Sequence, residues 1–487
     1  MLFNSYIFIL FFLPVTLFLY FSLNRLRQEK LAKIVLIMMS CWFYAYFHIG
    51  YLAIILLSVF CNYGIARILL SQSEGSIWKR KLLCAGIFAN VAVIFYYKYF
   101  DFLLENVNYF FRVSYPVRNI IMPLGISFFT LQQISYLVDS YRGETKGYGL
   151  TDYCLFVTFF PQLVAGPIVT HDEMMPQFQD RERKRFSQEC FARGLYWFAV
   201  GLFKKVLLAD TLGAAADWGF LHPDTLSAAG SFVLSLLFVF QLYFDFSGYC
   251  DMACGIASMF HLDLPINFNS PYKAHSIIDF WKRWHMSLTR FLRKYVYFPL
   301  GGSRRGTART YVNIMIVFLV SGIWHGANWT YILWGCMHGA AQVLNRIFAK
   351  LWDKVPKGIQ WLATFLFVDI AFMLFRSDTL GDFAVLCSNI FTGKSGGISG
   401  EMIQCFDVIE FTYLEDHIGV LGQIMSRLPG IHMWLVLGIC FLVALVGKNC
   451  YEREFRPTAA KALGSVVMLV WSVISLSGLS TFLYFNF

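Results

Sequence analysis

Charge is scarce in this sequence. Only 14% of its 487 residues are Asp, Glu, Lys or Arg, where a soluble domain carries roughly 25%. So few charges cannot cover a water-facing surface, which excludes an ordinary soluble globular protein. An Arg-rich tail and an RNA-binding signature are also lacking. The excess of 40 basic over 30 acidic residues therefore gives no reason to expect nucleic acid. The basic residues sit in short stretches between apolar runs, the pattern of the positive-inside rule. No CxxC occurs among the 12 cysteines. Cys250 and Cys254 flank Asp251 but have no second pair or His at metal-ligand spacing, so no metal is expected. The N-terminus lacks a basic n-region and a cleavage site, so residues 3–24 are expected to be a retained span and not a removed signal. Neither an internal repeat nor a linker to a second soluble domain is visible.

What is present is apolar. Hydrophobic residues make up 57% of the chain and aromatics 18%, including 51 Phe, 26 Tyr and 13 Trp. A helix needs about 20 apolar residues to cross a bilayer. Stretches free of Asp, Glu, Lys and Arg at about that length or more are 3–24, 119–138, 153–171, 225–244, 310–345, 428–447 and 462–486. The run 34–66 is too long for one crossing and predicts a turn near His48-Ile49-Gly50. Runs 82–97 and 360–375 are shorter or carry one acid, and 196–208 is interrupted by Lys204 and Lys205. Backbone polar groups in lipid must be satisfied within the segment, so helices are expected. The reading is an all-α polytopic membrane bundle of roughly 10 to 13 transmembrane or re-entrant segments. One membrane domain is expected over 1–487, with a core at 119–345 and a C-terminal extension at 360–487. The polar stretch 394–427 is read as a loop or small cap.

Orientation follows from basic loops. Arg25, Arg27, Lys30 and Lys33 form one group, Arg67, Lys79, Arg80 and Lys81 another, and Lys448, Arg453, Arg456 and Lys461 a third. All three are expected on the cytoplasmic side, which puts both termini outside.

Chemistry concentrates between Tyr243 and Gly339. Asp245 ends an uncharged run, and an acid at membrane depth needs a partner or water; a solvent-facing helix-end Asp is the equally simple alternative. Trp281, Trp284, Leu288, Phe291, Leu292 and Tyr295 recur at three- and four-residue steps. They predict an amphipathic helix with a basic opposite face that carries Lys282, Arg283 and Arg290. From Phe280 to Arg309 there are eight Lys or Arg and no acid. Such a face suits anionic lipid head groups or an anionic donor such as the phosphates of coenzyme A or an acidic carrier protein. His325 follows in an uncharged run, about 22 Å along a helix from the last Arg at 1.5 Å per residue. A neutral ring is expected at that depth, and a neutral imidazole can act as general base. A core histidine bonded to a carbonyl or to Asn328 is the plainer alternative. Gly322 and Gly326 would permit close approach of backbone or ligand. His338 beside Gly339, Ala340 and Ala341 reads as helix packing.

Taken together, several motifs resemble the membrane-bound O-acyltransferase family, most of all its bacterial alginate O-acetyltransferase branch. They are Trp281-Lys282-Arg283-Trp284-His285, Tyr297-Phe298-Pro299-Leu300-Gly301-Gly302-Ser303-Arg304 and Trp324-His325-Gly326-Ala327-Asn328-Trp329. Residues 123–130, 159–168 and 243–249 add to them, in the expected order. The resemblance implies a helical bundle around a tunnel, with the donor entering from the cytoplasm and the acceptor from outside. It maps the catalytic histidine onto His325 and a second recurring histidine onto His285. Trp324, Asn328, Asp245, Tyr249, Lys282, Arg283 and Arg290 become candidates to line the substrate path.

The expected donor is acetyl-coenzyme A or another acyl thioester, with no bound cofactor. The expected acceptor is a cell-envelope or secreted polysaccharide, reached from a bacterial cell membrane with the help of an extracytoplasmic acetyltransferase partner. The aromatic end, Thr481 to Phe487, resembles the tail of the same branch; it is either an interfacial anchor or, through Tyr484, an acyl relay. The alternatives are D-alanyl transfer to teichoic acid from a carrier protein, a non-catalytic scaffold and a transporter. The long apolar sequence after Gly339 favours the acetylating branch. The absence of symmetric halves disfavours transport.

Overall fold

The computed structural model describes residues 1–487 except 146, 420, 421, 423–427, 429, 453, 454, 477–480 and 484–487. The described residues form helices and connecting turns, with no strand among them. Among the described residues six helices are long and apolar enough to cross a membrane: Phe8–Arg25, Ile49–Ser71, Ile77–Phe111, Ala228–Met259, Thr307–His325 and Lys357–Arg376. Leu380–Thr392, Ile431–Val446 and Ala459–Ile474 are shorter apolar helices. The chain is an all-α, multi-pass membrane protein. Its contacts divide it into two units.

The first unit holds Met1–Gly201, Tyr249–Ile266 and Phe455–Phe487. Its centre is aromatic: Phe12 meets Phe160 edge-on at 5.3 Å, and Phe43 lies 5.5 Å from Phe160. The Met1 amino group is buried there and donates to the Phe43 carbonyl at 2.9 Å. The expected turn in 34–66 is present: Glu29–Ala45 ends, His48 caps the next helix through Nδ1, and Ile49–Ser71 follows.

Two expected spans are not single helices. In 119–138 the chain has no regular structure before the turn at Gly125, and the helix is Ile126–Tyr141. Gly125 has φ +72°, and a Cβ there would lie 2.8 Å from the Leu163 carbonyl oxygen. In 153–171 the helix Leu150–Thr158 stops at Phe159, whose ψ is 109°. Pro161 follows, and the Phe160 N–H is satisfied by Ser40 Oγ at 3.2 Å. A further helix, His171–Gln179, opens on a Thr170–Glu173 capping box. Hydropathy recorded burial at both places but not direction, because buried irregular backbone can be as apolar as a span.

The second unit holds Leu202–Gly248 and Asn267–Glu454. The lysines expected to interrupt 196–208 do not end the helix there; Lys204–Ala209 continues it as a π-helical turn. Lys205 is 2% exposed and meets Asp245 at 2.7 Å and Asp210 at 2.8 Å. This ion cluster also explains why the helix expected at 225–244 runs on to Met259: Asp245 lies mid-helix with its partner beside it, and not at a solvent-facing end. The uncharged run 310–345 folds as an antiparallel pair, Thr307–His325 and Trp329–Ile347. Pro356 caps Lys357–Arg376, whose buried Asp369 accepts from Ser235 Oγ at 2.7 Å. The polar stretch 394–427 includes two short helices, Gly400–Gln404 and Ile409–His417.

Candidate active site

The site is built on the turn between the paired helices of the second unit. Thr307–His325 is 19 residues long, about 28 Å at 1.5 Å per residue, close to the hydrocarbon thickness of a bilayer. His325 is its last residue. It therefore sits at the opposite end of the helix from Arg309, and not halfway along an uninterrupted span. The reversal at 326–328 is held by Asn328, whose side-chain oxygen accepts from the Thr330 N–H at 3.1 Å while its amide donates to the Asp378 carbonyl at 2.8 Å. Asn328 thus serves as the helix cap.

The two helices meet through glycine. A Cβ at Gly335 would lie 3.2 Å from the Cα of Gly322, and a Cβ at Gly339 would lie 3.0 Å from Met315 Sδ. A Cβ at Gly326 would run into the Tyr331 ring. Gly322 therefore admits a neighbouring backbone, and Gly326 an aromatic ring.

His285 reaches the site from a different segment. The amphipathic pattern of 280–295 predicted one helix, but two short ones form, Ile277–Trp281 and Met286–Leu292. The break is His285 itself, with φ +46° and ψ 50°. That left-handed conformation costs a β-carbon residue roughly 1–2 kcal/mol, and a neighbouring loop holds it in place. The Asn267 carbonyl accepts from the Met286 N–H at 3.0 Å. Asn267 Oδ1 accepts from Ser287 Oγ at 2.9 Å, and the Asn269 N–H donates to the Arg283 carbonyl at 2.9 Å. Amphipathic spacing could not show this, because the apolar positions on both sides of the break still face the core.

The result is a buried pair of imidazoles. The rings of His285 and His325 lie 6.2 Å apart between centroids at 63°. His285 is 0% exposed and His325 4%. Aromatic edges surround them: Trp324 at 4.9 Å, Trp334 at 5.2 Å and Phe375 at 5.3 Å from His325, and Phe246 at 5.0 Å from His285. Such walls exclude bulk water and strengthen electrostatic interactions inside.

The sequence comparisons decide what family this pair belongs to. The model of the membrane-bound O-acyltransferase family matches residues 41–377. A peptidoglycan O-acetyltransferase of Helicobacter pylori is 39% identical, over 100% of this chain and 98% of its own length. The probable alginate O-acetylase AlgI of Pseudomonas aeruginosa is 37% identical over 78% of this chain and 73% of its own. A teichoic acid D-alanyltransferase of Bacillus subtilis is 27% identical over 60% of this chain and 77% of its own. The chain belongs to the membrane-bound O-acyltransferase family. It is an O-acyltransferase, and the resemblance seen in its motifs is established by these matches.

The remaining candidate residues of this acyltransferase have other settings. Trp324 is buried beside both histidines, 4.9 Å from the His325 ring and 6.0 Å from the His285 ring. Asp245 faces Lys205. Tyr249 lies in the first unit, stacked on Phe3 at 4.9 Å and edge-on to Phe482. Phe482, at the end of the described chain, is 1% exposed; Tyr484 lies outside the described residues. Lys282 and Arg290 are exposed. Arg283 is paired with Asp279 at 3.0 Å, an acid one position outside the acid-free window.

Sequence reasoning missed Lys205, whose signal was two lysines inside an apolar run with Asp245 unmatched. It also missed Asn267 and Asn269, which carry no pattern of their own. His338, read as helix packing, does sit beside a packed glycine, but its ring is buried against Trp281 and Trp334. Among the described residues no group of three or more His, Cys, Asp or Glu could hold a metal ion.

Proposed function

We propose that this acyltransferase moves an acetyl group from a thioester donor, acetyl-coenzyme A, across the membrane onto a hydroxyl of a cell-envelope polysaccharide. The observation that carries this reading is the pair His285 and His325, buried 6.2 Å apart in a chain aligned end to end with a peptidoglycan O-acetyltransferase. A sugar hydroxyl is a poor nucleophile. His325 takes its proton as the oxygen attacks the thioester carbonyl carbon, a general-base contribution of typically 10²–10⁴-fold. The C-terminal end of a helix favours positive charge, and His325 stands at such an end when it becomes imidazolium. Trp324 and His285 hold the reacting groups in place.

Exposed Lys282, Arg290, Arg293, Arg304, Arg305 and Arg309 form the cytoplasmic receptor for the donor's phosphates. The acceptor approaches from the other face by a tunnel. Relatives named for peptidoglycan and for alginate both align end to end with this chain, so the acceptor proposed is the class they share, a polysaccharide outside the membrane. D-alanyl transfer is the second reading, supported by the Bacillus subtilis relative over 60% of this chain. An extracytoplasmic transferase partner would complete delivery to the polymer.

The test is acetyl transfer in membranes that carry the full chain. Labelled acetyl-coenzyme A is offered beside a D-alanyl-charged carrier protein, and the acyl group is sought on isolated polysaccharide. Label from acetyl-coenzyme A that depends on His325 supports the proposal. Label from the carrier alone selects the second reading, and full acylation by a folded His325→Ala protein returns the chain to scaffold or transporter.

A further inference from the structure

One face of the helix Trp329–Ile347 has no counterpart in the mechanism above. Thr330, Trp334 and His338 recur at four-residue intervals, so they lie on one side. All three are at most 1% exposed. Thr330 Oγ1, Trp334 Nε1 and His338 Nε2 each have no hydrogen-bond partner among the described residues. Burying a polar group without a partner is unfavourable. Three on one face therefore mark a place that something else completes.

The protonation of His338 can be read from geometry. Trp281 Nε1 lies 3.2 Å from His338 Nδ1. An indole N–H can only donate, so Nδ1 is the acceptor, and the proton of the neutral ring sits on Nε2. Nε2 is then a donor, as Trp334 Nε1 is. Two buried N–H donors thus stand on neighbouring rings whose centroids are 4.7 Å apart. The Trp334 ring is also 5.2 Å from His325, perpendicular to it at 86°. What this pair needs is an acceptor that gains negative charge beside His325.

We infer that Trp334 Nε1–H and His338 Nε2–H receive the carbonyl oxygen of the acyl donor and stabilise the oxyanion formed on attack. This rests on the acyl-transfer reading above. The hydroxyl oxygen bonds to the thioester carbon as its proton passes to His325. The carbonyl π pair moves onto oxygen, where the two N–H groups hold it. The pair then returns to re-form the C=O bond, the C–S bond breaks, and the leaving thiolate takes the proton from His325. Trp281 is a positioning residue, because it fixes the tautomer of His338.

Trp334→Phe keeps the ring and deletes the donor. Loss of one oxyanion donor costs about 10²–10³-fold in kcat, and the expected result is a loss of that size with KM for acetyl-coenzyme A changed less than about threefold, since substrate binding is not what is lost. Trp281→Phe should lower kcat by a smaller factor with KM likewise unmoved. The independent readout is the carbonyl stretch of a ¹³C-labelled ketone analogue, acetonyl-dethio-coenzyme A, bound to the full-length protein in detergent. The wild-type band should shift below its position in water. The shift should persist in His325→Ala and shrink in Trp334→Phe. Wild-type protein that transfers acetyl but shows no downward shift, or a folded Trp334→Phe at wild-type kcat, overturns the inference and leaves the acyl-transfer reading standing. Wild-type protein that neither transfers acetyl nor binds the analogue overturns both.

Discussion

His285 and His325 are forty positions apart in sequence, yet their rings lie 6.2 Å from one another in a buried aromatic cage. Neither helix end would bring them together alone. His325 is delivered by the C-terminus of one long helix and His285 by a left-handed break between two short ones. The first prediction concerns His325, the ring proposed to take the proton. His325→Ala should lower acetyl transfer by about 10²–10⁴-fold, with the amount and thermal stability of the protein in detergent little changed. Transfer within about tenfold of wild type from the folded variant would remove His325 from the reaction.

The left-handed backbone at His285 and the proposed role of its ring make separate demands on residue 285. Asn tolerates the left-handed region and a β-branched residue does not. His285→Asn should therefore melt above His285→Val, while both lose most of the transfer activity. Equal melting temperatures would show that the break at 285 carries no conformational demand. Retained activity in either variant would show that the imidazole is dispensable.

Lys205 holds Asp245 and Asp210 within 2.8 Å. Lys205→Met leaves a buried carboxylate uncompensated, a loss of about 3–5 kcal/mol. Lys205→Met with Asp245→Asn should recover part of it, a coupling that thermal unfolding of the four proteins of the double-mutant cycle would measure. Strict additivity would mean the pair does not interact in the folded protein.

The glycine contact below the site is the next target. Gly335→Leu must push the helices Thr307–His325 and Trp329–Ile347 apart, because a Cβ there already meets Gly322 at 3.2 Å. Overpacking of this kind costs about 1–3 kcal/mol. It should lower both melting temperature and activity, whereas a substitution at Gly438, where a Cβ meets nothing within 4 Å, should be mild. Comparable effects at the two positions would argue against a tight seam.

The aromatic end offers a fifth test. Phe482 is buried against Tyr249, so the segment just before Tyr484 packs within its own unit. Tyr484→Phe removes only the hydroxyl that a relay would acylate. If the tail is a relay, transfer to polysaccharide should stop while hydrolysis of the donor continues; unchanged transfer eliminates the relay and leaves an anchoring role.

Much of this was legible before any coordinates. Scarce charge set the solvent, because a membrane admits few ionised groups and a water-facing surface needs many. The motifs from Trp281 to Trp329 pointed to the family, and the turn at His48 followed from the length of its run. These are properties of single segments, and a segment carries its own hydropathy and its own motif. Partnership is different. That Asp245 is answered by Lys205, that Asn267 holds the break at His285, and that Trp281 fixes the proton on His338 depend on which helices pack together. Each pairing joins residues separated by 18 to 57 positions, and an apolar pattern scores them all alike as buried. The sequence therefore determined that a neutral, apolar interior would contain a few costly polar groups. Only tertiary packing decided which of them meet, since a buried polar group is stabilised by a neighbour at hydrogen-bond distance and not by its own position along the chain.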